Sequence, residues 1–493
     1  MEKNATVLSI GKKILPSSDC KPLSIEQLEV KKIRARQILK NAKYIVAPMV
    51  DQSELAFRMM MRCHKADICF SPMIHAHLFV NDYTYRKSAF TTCTSDRPLI
   101  VQFCANDPEI LLAACRLVES YCDGVDLNLG CPQLIARRGH YGAYLQEDRD
   151  LICRMISYVH AYCKLPLSCK IRILDDINET ISYARALESA GACILTVHGR
   201  TRDQRGPNTG LADWNAIRYV KESINIPVIA NGNIQMPKDI ELCLEKTKAD
   251  AVMSAEGILG NPFLFEGRHT LNWVVATEYL NFVELYGASQ SSIRAHIFRI
   301  CHHSLLHFED LRKKLPSVCA MEEFRATISE IESRVKSTNP DYLNYMKAEF
   351  ESPNAYKFAH WICQPYYRPV RNDAAISESE YRMHKRAKLD ELAQQTGLSK
   401  RRLRKIERRR RNGRNERAMK KPYLKCLQCS MPASTGCIFL YCKKCCRFKT
   451  AIERSNCEEG IVLISAHHFQ FTTKIPKCYR NDDISLILVI NGT

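Results

Sequence analysis

Between residues 44 and 257 one pattern repeats eight times: a short, almost continuously apolar run, then a longer stretch of mixed character. The runs are YIVAPMV (44–50), ICFSPM (68–73), LIVQFC (99–104), GVDLNLG (124–130), LSCKIRI (167–173), CILTVHG (193–199), PVIANGN (227–233) and AVMSAEG (251–257). Runs with no polar face fit strands buried on both sides of a parallel sheet. The stretches between them carry helix signals. DPEILLAACRLVESY (107–121) opens on an Asp cap with Pro in the first turn. NETISYARALESAGA (178–192) is read with an Asn cap and a glycine stop, and PKDIELCLEKT (237–247) opens on proline. The alternation predicts an α/β fold, a TIM (β/α)8 barrel; an open doubly wound sheet is the alternative that alternation alone leaves.

Beyond the barrel the pattern changes. Residues 286–369 read as helices, with Ile293, Ile297, Ile300 and Leu305 near helical spacing. His302, His303 and His307 lack a Glu or Cys partner and read as a solvated or core face rather than a metal site. The expected division is an extension (1–40), the barrel (41–285), a helical domain (286–369), a basic linker (370–422), a Cys-rich module (423–460) and a tail (461–493).

Charge sharpens the picture. The net charge is +19, and residues 400–421 alone hold thirteen Lys or Arg against two Glu. Such a balance points to a polyanionic partner, nucleic acid ahead of a membrane surface. LAQQTGLSKRRLRKI (392–406) has a weak helix-turn-helix outline. No signal peptide or membrane-length apolar run is visible, so the 24 cysteines are expected in a reducing compartment, cytoplasmic or nuclear.

Barrel catalysis sits at the carboxyl ends of the strands. The runs place there Pro48, Met49, Val50, Gln102, Asn128, Cys131, Lys170, Arg172, His198, Arg200, Asn231, Gly232, Asn233, Ala255, Glu256 and Gly257. Glycines ending the last two runs suit a phosphate cradle, because backbone can approach the anion closely. The amides and lysine suit a flat heterocycle, and a flavin mononucleotide (FMN) meets both demands. A sugar phosphate would leave Gln102, Asn128 and Lys170 less well explained.

The ordered set APMVDQSELAFR, VQFCANDP, DLNLGCPQ, CKIR, TVHGRT and ANGNI, closed by GNPFLF (260–265), resembles the tRNA-dihydrouridine synthases. FAHWICQPYYRP (358–369) resembles the eukaryotic branch acting on uridines 16 and 17 of the D-loop. The resemblance implies Cys131 as proton donor to C5 of uracil. It implies Pro48, Met49, Val50, Gln102, Lys170, His198 and Asn231–Asn233 as FMN-binding positions, and Asn128 and Arg172 as facing the base. It implies hydride passing from NADPH or NADH through FMN to C6, with Lys170 stabilising negative charge on the flavin edge. The family carries Gly-Arg for the FMN phosphate where this chain has Ala255-Glu256; a glutamate cannot pair with phosphate, so only backbone contact is expected there. Arg137, Arg138 and His140, in the loop after the fourth run, are read as gripping RNA phosphates or as part of a loop closing over the cofactor. A small-molecule FMN barrel reductase and a non-catalytic RNA-binding protein are the rival classes.

Seven cysteines crowd into residues 426–457. Two C-x2-C knuckles, Cys426/Cys429 and Cys442/Cys445, read as a four-cysteine zinc site, with Cys437, Cys446 and Cys457 in surplus. The expected partner is tRNA, gripped additionally by this module and the basic block.

Overall fold

The computed structural model describes residues 21–344 and 358–366, together with residues 7, 8, 10, 402, 403, 426–429, 433, 440–442 and 445. The chain divides into two compact units, 1–372 and 373–493. All eight apolar runs form strands, and one short strand joins them: β1 (Tyr44–Val46), β2 (Ile68–Phe70), β3 (Ile74–His75), β4 (Leu99–Cys104), β5 (Gly124–Leu129), β6 (Leu167–Arg172), β7 (Ile194–His198), β8 (Val228–Asn231) and β9 (Ala251–Ser254). Each neighbour is parallel, β1 pairs with both β2 and β9, and β2 pairs with β4. Eight strands therefore close a ring, which excludes the open sheet, while β3 lies outside it on β4. Every residue of β4 and β5 is buried, the polar Gln102, Asp126 and Asn128 included.

Register stacks the polar residues in tiers. Gln102 stands level with Asp126, and Asp126 with Ser168. One step toward the carboxyl ends, Asn128 pairs with Lys170 and Lys170 with Thr196. Above them Arg172 pairs with His198 and His198 with Asn231. Residues two apart on a strand share a face, so the polar positions of several strands meet at one end of the barrel.

The outer helices begin on aspartates. Asp107, Asp148, Asp176 and Asp213 each accept a backbone N–H from the first turn that follows. Asp176 corrects the expected Asn178 cap: its carboxylate accepts the Asn178 N–H at 2.9 Å, and the helix already begins at Ile177. The predicted stop holds, with Gly191 at φ +109° and a Cβ there falling 2.4 Å from His160.

The helical segment is continuous with the barrel's core. Helix Asn272–Tyr286 packs on Leu55–Cys63 and on Met321–Thr338. The apolar stretch after Ser289 breaks into Gln290–Ile300, His302–His307 and Glu309–Lys314, and Ile293, Ile297, Ile300 and Leu305 are all buried. The joint is polar: half-buried Glu54 accepts from Tyr279 Oη at 2.7 Å and meets His296 Nε2 at 3.1 Å. Burial alone would raise the Glu54 pKa; His296 and Tyr279 outweigh it and bring it below its ordinary value. Residues 358–366 return to the barrel, where Cys363 N–H donates to Thr270 O at 2.8 Å and Asn272 N–H to Trp361 O at 2.9 Å. Helix Ile25–Leu39, in the expected extension, reaches the barrel through buried Lys31, whose Nζ donates to His160 O at 2.5 Å.

Most scattered cysteines fill the core, as expected: Cys69, Cys93, Cys104, Cys115, Cys122, Cys163, Cys169, Cys193, Cys243, Cys301 and Cys363 are buried. No helix among the described residues is long and apolar enough to cross a membrane. Most of the basic block, the helix-turn-helix outline, Cys437, Cys446, Cys457 and the tail lie outside the described residues.

Candidate active site and cysteine cluster

Cys131 sits just past β5, half-buried, on a turn whose position is fixed from three sides. Asn128 Oδ1 accepts the N–H groups of Gly130 (3.2 Å) and Cys131 (3.0 Å). The Cys131 carbonyl accepts from Ala143 N–H at 3.1 Å. Gly142, at φ +66°, lies so close that a Cβ there would stand 2.8 Å from that carbonyl oxygen, so only glycine fits. Burial raises the thiol's pKa above its ordinary value near 9, against the opposing pull of Arg172 and Lys170. Cys131 therefore holds its proton at neutral pH.

Behind the thiol runs a wired row. Asn128 Nδ2 donates to Gln102 Oε1 at 2.8 Å, Gln102 Nε2 to Asp126 Oδ2 at 2.8 Å, and Ser168 Oγ to Asp126 Oδ1 at 2.6 Å. Burial lifts the Asp126 pKa to about 6, with Ser168, Gln102 and Lys170 opposing the rise.

Across the mouth the residues are cationic. Lys170 Nζ donates to the neutral amide oxygen of Asn231 at 2.9 Å, and Asn231 Nδ2 is held by Met253 O at 2.9 Å. Burial, aided by Arg172, lowers the Lys170 pKa to about 8. Arg172 commits Nε to Gly130 O (2.9 Å) and Nη1 to Thr201 O (2.8 Å) and Gln204 O (3.2 Å), tying the loop after β5 to the loop after β7. Burial and Arg200 lower its pKa to about 10. His198 is pushed well below its ordinary value by burial and then by Lys170, Arg172 and Arg200, so it is neutral.

The β8 turn places Gly232 at φ +115° and Asn233 at φ +59°. A Cβ on Gly232 would stand 2.7 Å from that of Ala212, and Trp214 Nε1 holds the Gly232 carbonyl at 3.0 Å. Arg200 reaches this corner, bonding His198 Nε2 at 3.1 Å, Gly210 O at 3.0 Å and Asn233 Oδ1. Beside it Ala255 precedes the short helix Glu256–Gly260 that leaves β9. On the first loop Pro48 is half-buried, Met49 buried and Val50 exposed, with Ser53 Oγ accepting the Met49 N–H at 3.0 Å. Arg137 and Arg138 stand exposed on helix Leu134–Gly139, which follows the Cys131 turn.

The structure thus brings Cys131, Asn128, Gln102, Lys170, Arg172, His198 and Asn231–Asn233 to one end of the barrel. Sequence reasoning missed Asp126 and Ser168. The usable signal was an aspartate inside an apolar strand, two residues before Asn128 and so on its face.

In the second unit the sulfurs of Cys426, Cys429, Cys442 and Cys445 all lie within 4.8 Å of one another. Cys429 Sγ is 3.6 Å from both Cys442 Sγ and Cys445 Sγ. A tetrahedral ion with bonds of about 2.3 Å sets its sulfurs roughly 3.8 Å apart, so the quartet matches a four-thiolate metal site. Among the described residues no other group has this character. The histidines pair with rings instead: His302 meets His303 edge-on at 5.0 Å, and His307 stacks on His360 at 4.1 Å.

A closed parallel barrel presenting a protonated thiol, an amide row and a half-buried lysine at the carboxyl ends of its strands defines an enzyme that works at the barrel mouth. This chain belongs to the dihydrouridine synthase (Dus) family, whose model matches residues 45–350. It is 44% identical over 441 residues to a Mus musculus tRNA-dihydrouridine(16/17) synthase [NAD(P)(+)]-like protein, covering 89% of this chain and 90% of that one. A Rattus norvegicus protein of the same name is 44% identical over 421 residues, 85% of this chain and 95% of the relative. The Saccharomyces cerevisiae tRNA-dihydrouridine(16/17) synthase [NAD(P)(+)] is 42% identical over 360 residues, 66% and 84% of the two chains.

Proposed function

We propose that this chain uses NAD(P)H and FMN to reduce the C5–C6 bond of uridine in tRNA, at positions 16 and 17 of the D-loop, in the cytoplasm or nucleus. The observation that carries the reading is Cys131, a thiol that burial keeps protonated on a turn locked by Asn128 and Gly142, across from half-buried Lys170.

The residues present fit FMN. Lys170 is a half-buried cation bonded to a neutral amide oxygen, the partner an electron-rich ring edge needs. Thr196 Oγ1, paired in register with Lys170, is buried and has no hydrogen-bond partner among the described residues, so the barrel centre retains polar capacity for a ligand. Gln102 and His198, with the Pro48–Val50 loop, would hold the ring, and the Gly232–Asn233 turn the phosphate. Arg200 supplies at this corner the positive charge that Glu256 cannot. Ala255 and Glu256 contribute backbone only.

When bound, FMN would supply the hydride-transfer chemistry that links NAD(P)H to C6 of the uracil. The chain's residues supply the rest. Cys131 Sγ gives its proton to C5, a general-acid step suited to a thiol that holds its proton through neutral pH. Asn128 and Arg172 fix the turn that carries Cys131 and border the base. Lys170 steadies negative charge at the ring edge. The target uridine leaves its stack to enter the mouth, which a loosely held loop base does at low cost. Arg137, Arg138, the helical segment 286–369 and the basic block 400–421 hold the RNA backbone.

Mass mapping of dihydrouridine in tRNA incubated with the chain, FMN and NADPH tests this directly. A gain of about two mass units, one hydride and one proton, is expected at each of uridines 16 and 17; an unchanged D-loop with flavin bound defeats the reading. The Cys quartet is proposed to bind one zinc ion that folds the small module. Metal analysis should find one zinc per chain, lost in Cys442→Ser while flavin remains; zinc-free parent protein defeats that assignment.

A further inference from the structure

Helices Gln290–Ile300, His302–His307 and Glu309–Lys314, with the returning segment 358–366, surround a cavity of about 300 Å³. Its lining is Phe298, Arg299, His302, Leu305, Arg312 and Tyr366. That volume is at the lower end of the roughly 300–1,000 Å³ typical of small-ligand sites. The cleft is open to solvent at Arg312 and Tyr366, and its wall is cationic. Neither Arg299 nor Arg312 forms an ion pair among the described residues. The nearby carboxylate of Glu309 is already bonded to Lys313 at 2.9 Å. His302 Nε2 is buried without a hydrogen-bond partner, and burial, His303 and both arginines hold the ring well below its ordinary pKa, at about 4. Tyr366 closes one side, edge-on to His302 at 4.8 Å, and is itself 37% exposed.

Two unpaired guanidiniums beside an unsatisfied imidazole call for an anion, and the faces of Tyr366 and Phe298 call for a flat ring. The place of the cavity favours RNA. Tyr366 follows Gln364 and Pro365; His303 Nε2 bonds Pro365 O at 3.2 Å. Gly260, the last residue of the short helix leaving β9, packs on Gln364 so closely that a Cβ would stand 2.8 Å from its carbonyl oxygen. The cavity thus adjoins the segment that leaves the mouth. Arg312 and Tyr366 are both exposed, so the opening admits a continuous chain as well as a free nucleotide.

We propose that this cavity holds one nucleotide of the RNA other than the uridine being reduced, its phosphate between Arg299 and Arg312 and its base against Tyr366 and Phe298. The proposal rests on the RNA substrate argued above and names where the helical segment grips it. A phosphate ester carrying an aromatic ring is also part of NADPH, so the experiment separates the two sources.

Full-length chain carrying Arg299→Gln with Arg312→Gln, and separately Tyr366→Ala, is titrated with a tRNA transcript at several salt concentrations. The double variant should bind about 10-fold or more weakly, with the log–log salt slope reduced by about 1 for the lost phosphate contact. Tyr366→Ala should weaken binding about 10-fold with the slope unchanged, since stacking releases no counterions. Flavin content and melting profile serve as folding controls. Arg312→Glu, an exposed change, must weaken RNA binding as well, so a misfolded Arg299 variant does not shield the idea. NADPH dependence is read as reduction of the bound flavin without RNA and should match the parent. Parent-like RNA affinity in all three variants overturns the proposal, and so does a loss confined to NADPH. Should the parent bind tRNA, lose that binding with these changes and still form no dihydrouridine, the reaction assigned above falls and the RNA pocket stands.

Discussion

The two sides of the barrel mouth are built on opposite principles. From β4 to β6 the row Asn128–Gln102–Asp126–Ser168 satisfies itself, each side chain bonded to the next, and the thiol of Cys131 hangs from its outer end. From β6 to β8 the site gathers Lys170, Arg172, Arg200 and a neutral His198; burial and mutual repulsion have lowered the proton affinity of Lys170, Arg172 and His198. A row whose members bond one another serves as a rigid mount, whatever it touches at its edge. A crowded cationic row is relieved by a ligand that brings negative charge. In the reaction proposed above, one side would position the proton and the other would receive the electron-rich partner.

Breaking the mount's payload should have the largest effect. Cys131→Ala is expected to lower dihydrouridine formation by about 10²–10⁴-fold while flavin and tRNA still bind; product yields equal to the parent's would remove the thiol from the reaction. Disarming the cationic side comes next. Lys170→Met should slow turnover by about 10²-fold, the scale of losing one buried electrostatic stabiliser, and a spectrally unchanged flavin reduced at the parent's rate would contradict that role. The smallest change sharpens the contrast through stability. Asp126 has its folded-state pKa raised from 3.8 to about 6, so the native chain binds the extra proton between those values. Native stability therefore falls as pH rises from about 4 to 6, by at most about 3 kcal/mol. Asp126→Asn removes this titration and keeps hydrogen-bonding capacity. It should flatten the pH 4–6 stretch of the urea-unfolding curve and raise the midpoint at pH 7; an unaltered pH profile would show that Asp126 titrates normally.

Legibility in the sequence follows the range of the forces involved. The strands were legible because a strand buried on both faces needs an uninterrupted apolar run. The functional end was legible because loop residues such as Cys131 and Gly232 break those runs at fixed places. The wired row was not, since Asp126 meets Gln102 and Ser168 across 24 and 42 residues of chain, and no local pattern records such a bond. The Asn178 cap was misplaced by two residues because Asp176 and Asn178 both suit the role, and backbone geometry chooses between them. The short β3 carried too few residues to show any period. The cavity at Tyr366 was invisible in principle, joining side chains from four stretches of chain.

Glu54 has a consequence for anyone who trims this molecule. It stands two residues past Gln52, where the first loop of the mouth ends, and its carboxylate is gripped by Tyr279 and by His296, the latter beyond the barrel's expected boundary at 285. A fragment stopped at that boundary would keep every strand and Tyr279, yet leave the Glu54 carboxylate without its His296 partner beside the first loop of the mouth. The catalytic half is therefore not a free-standing module: its first loop is anchored by the helices that follow it.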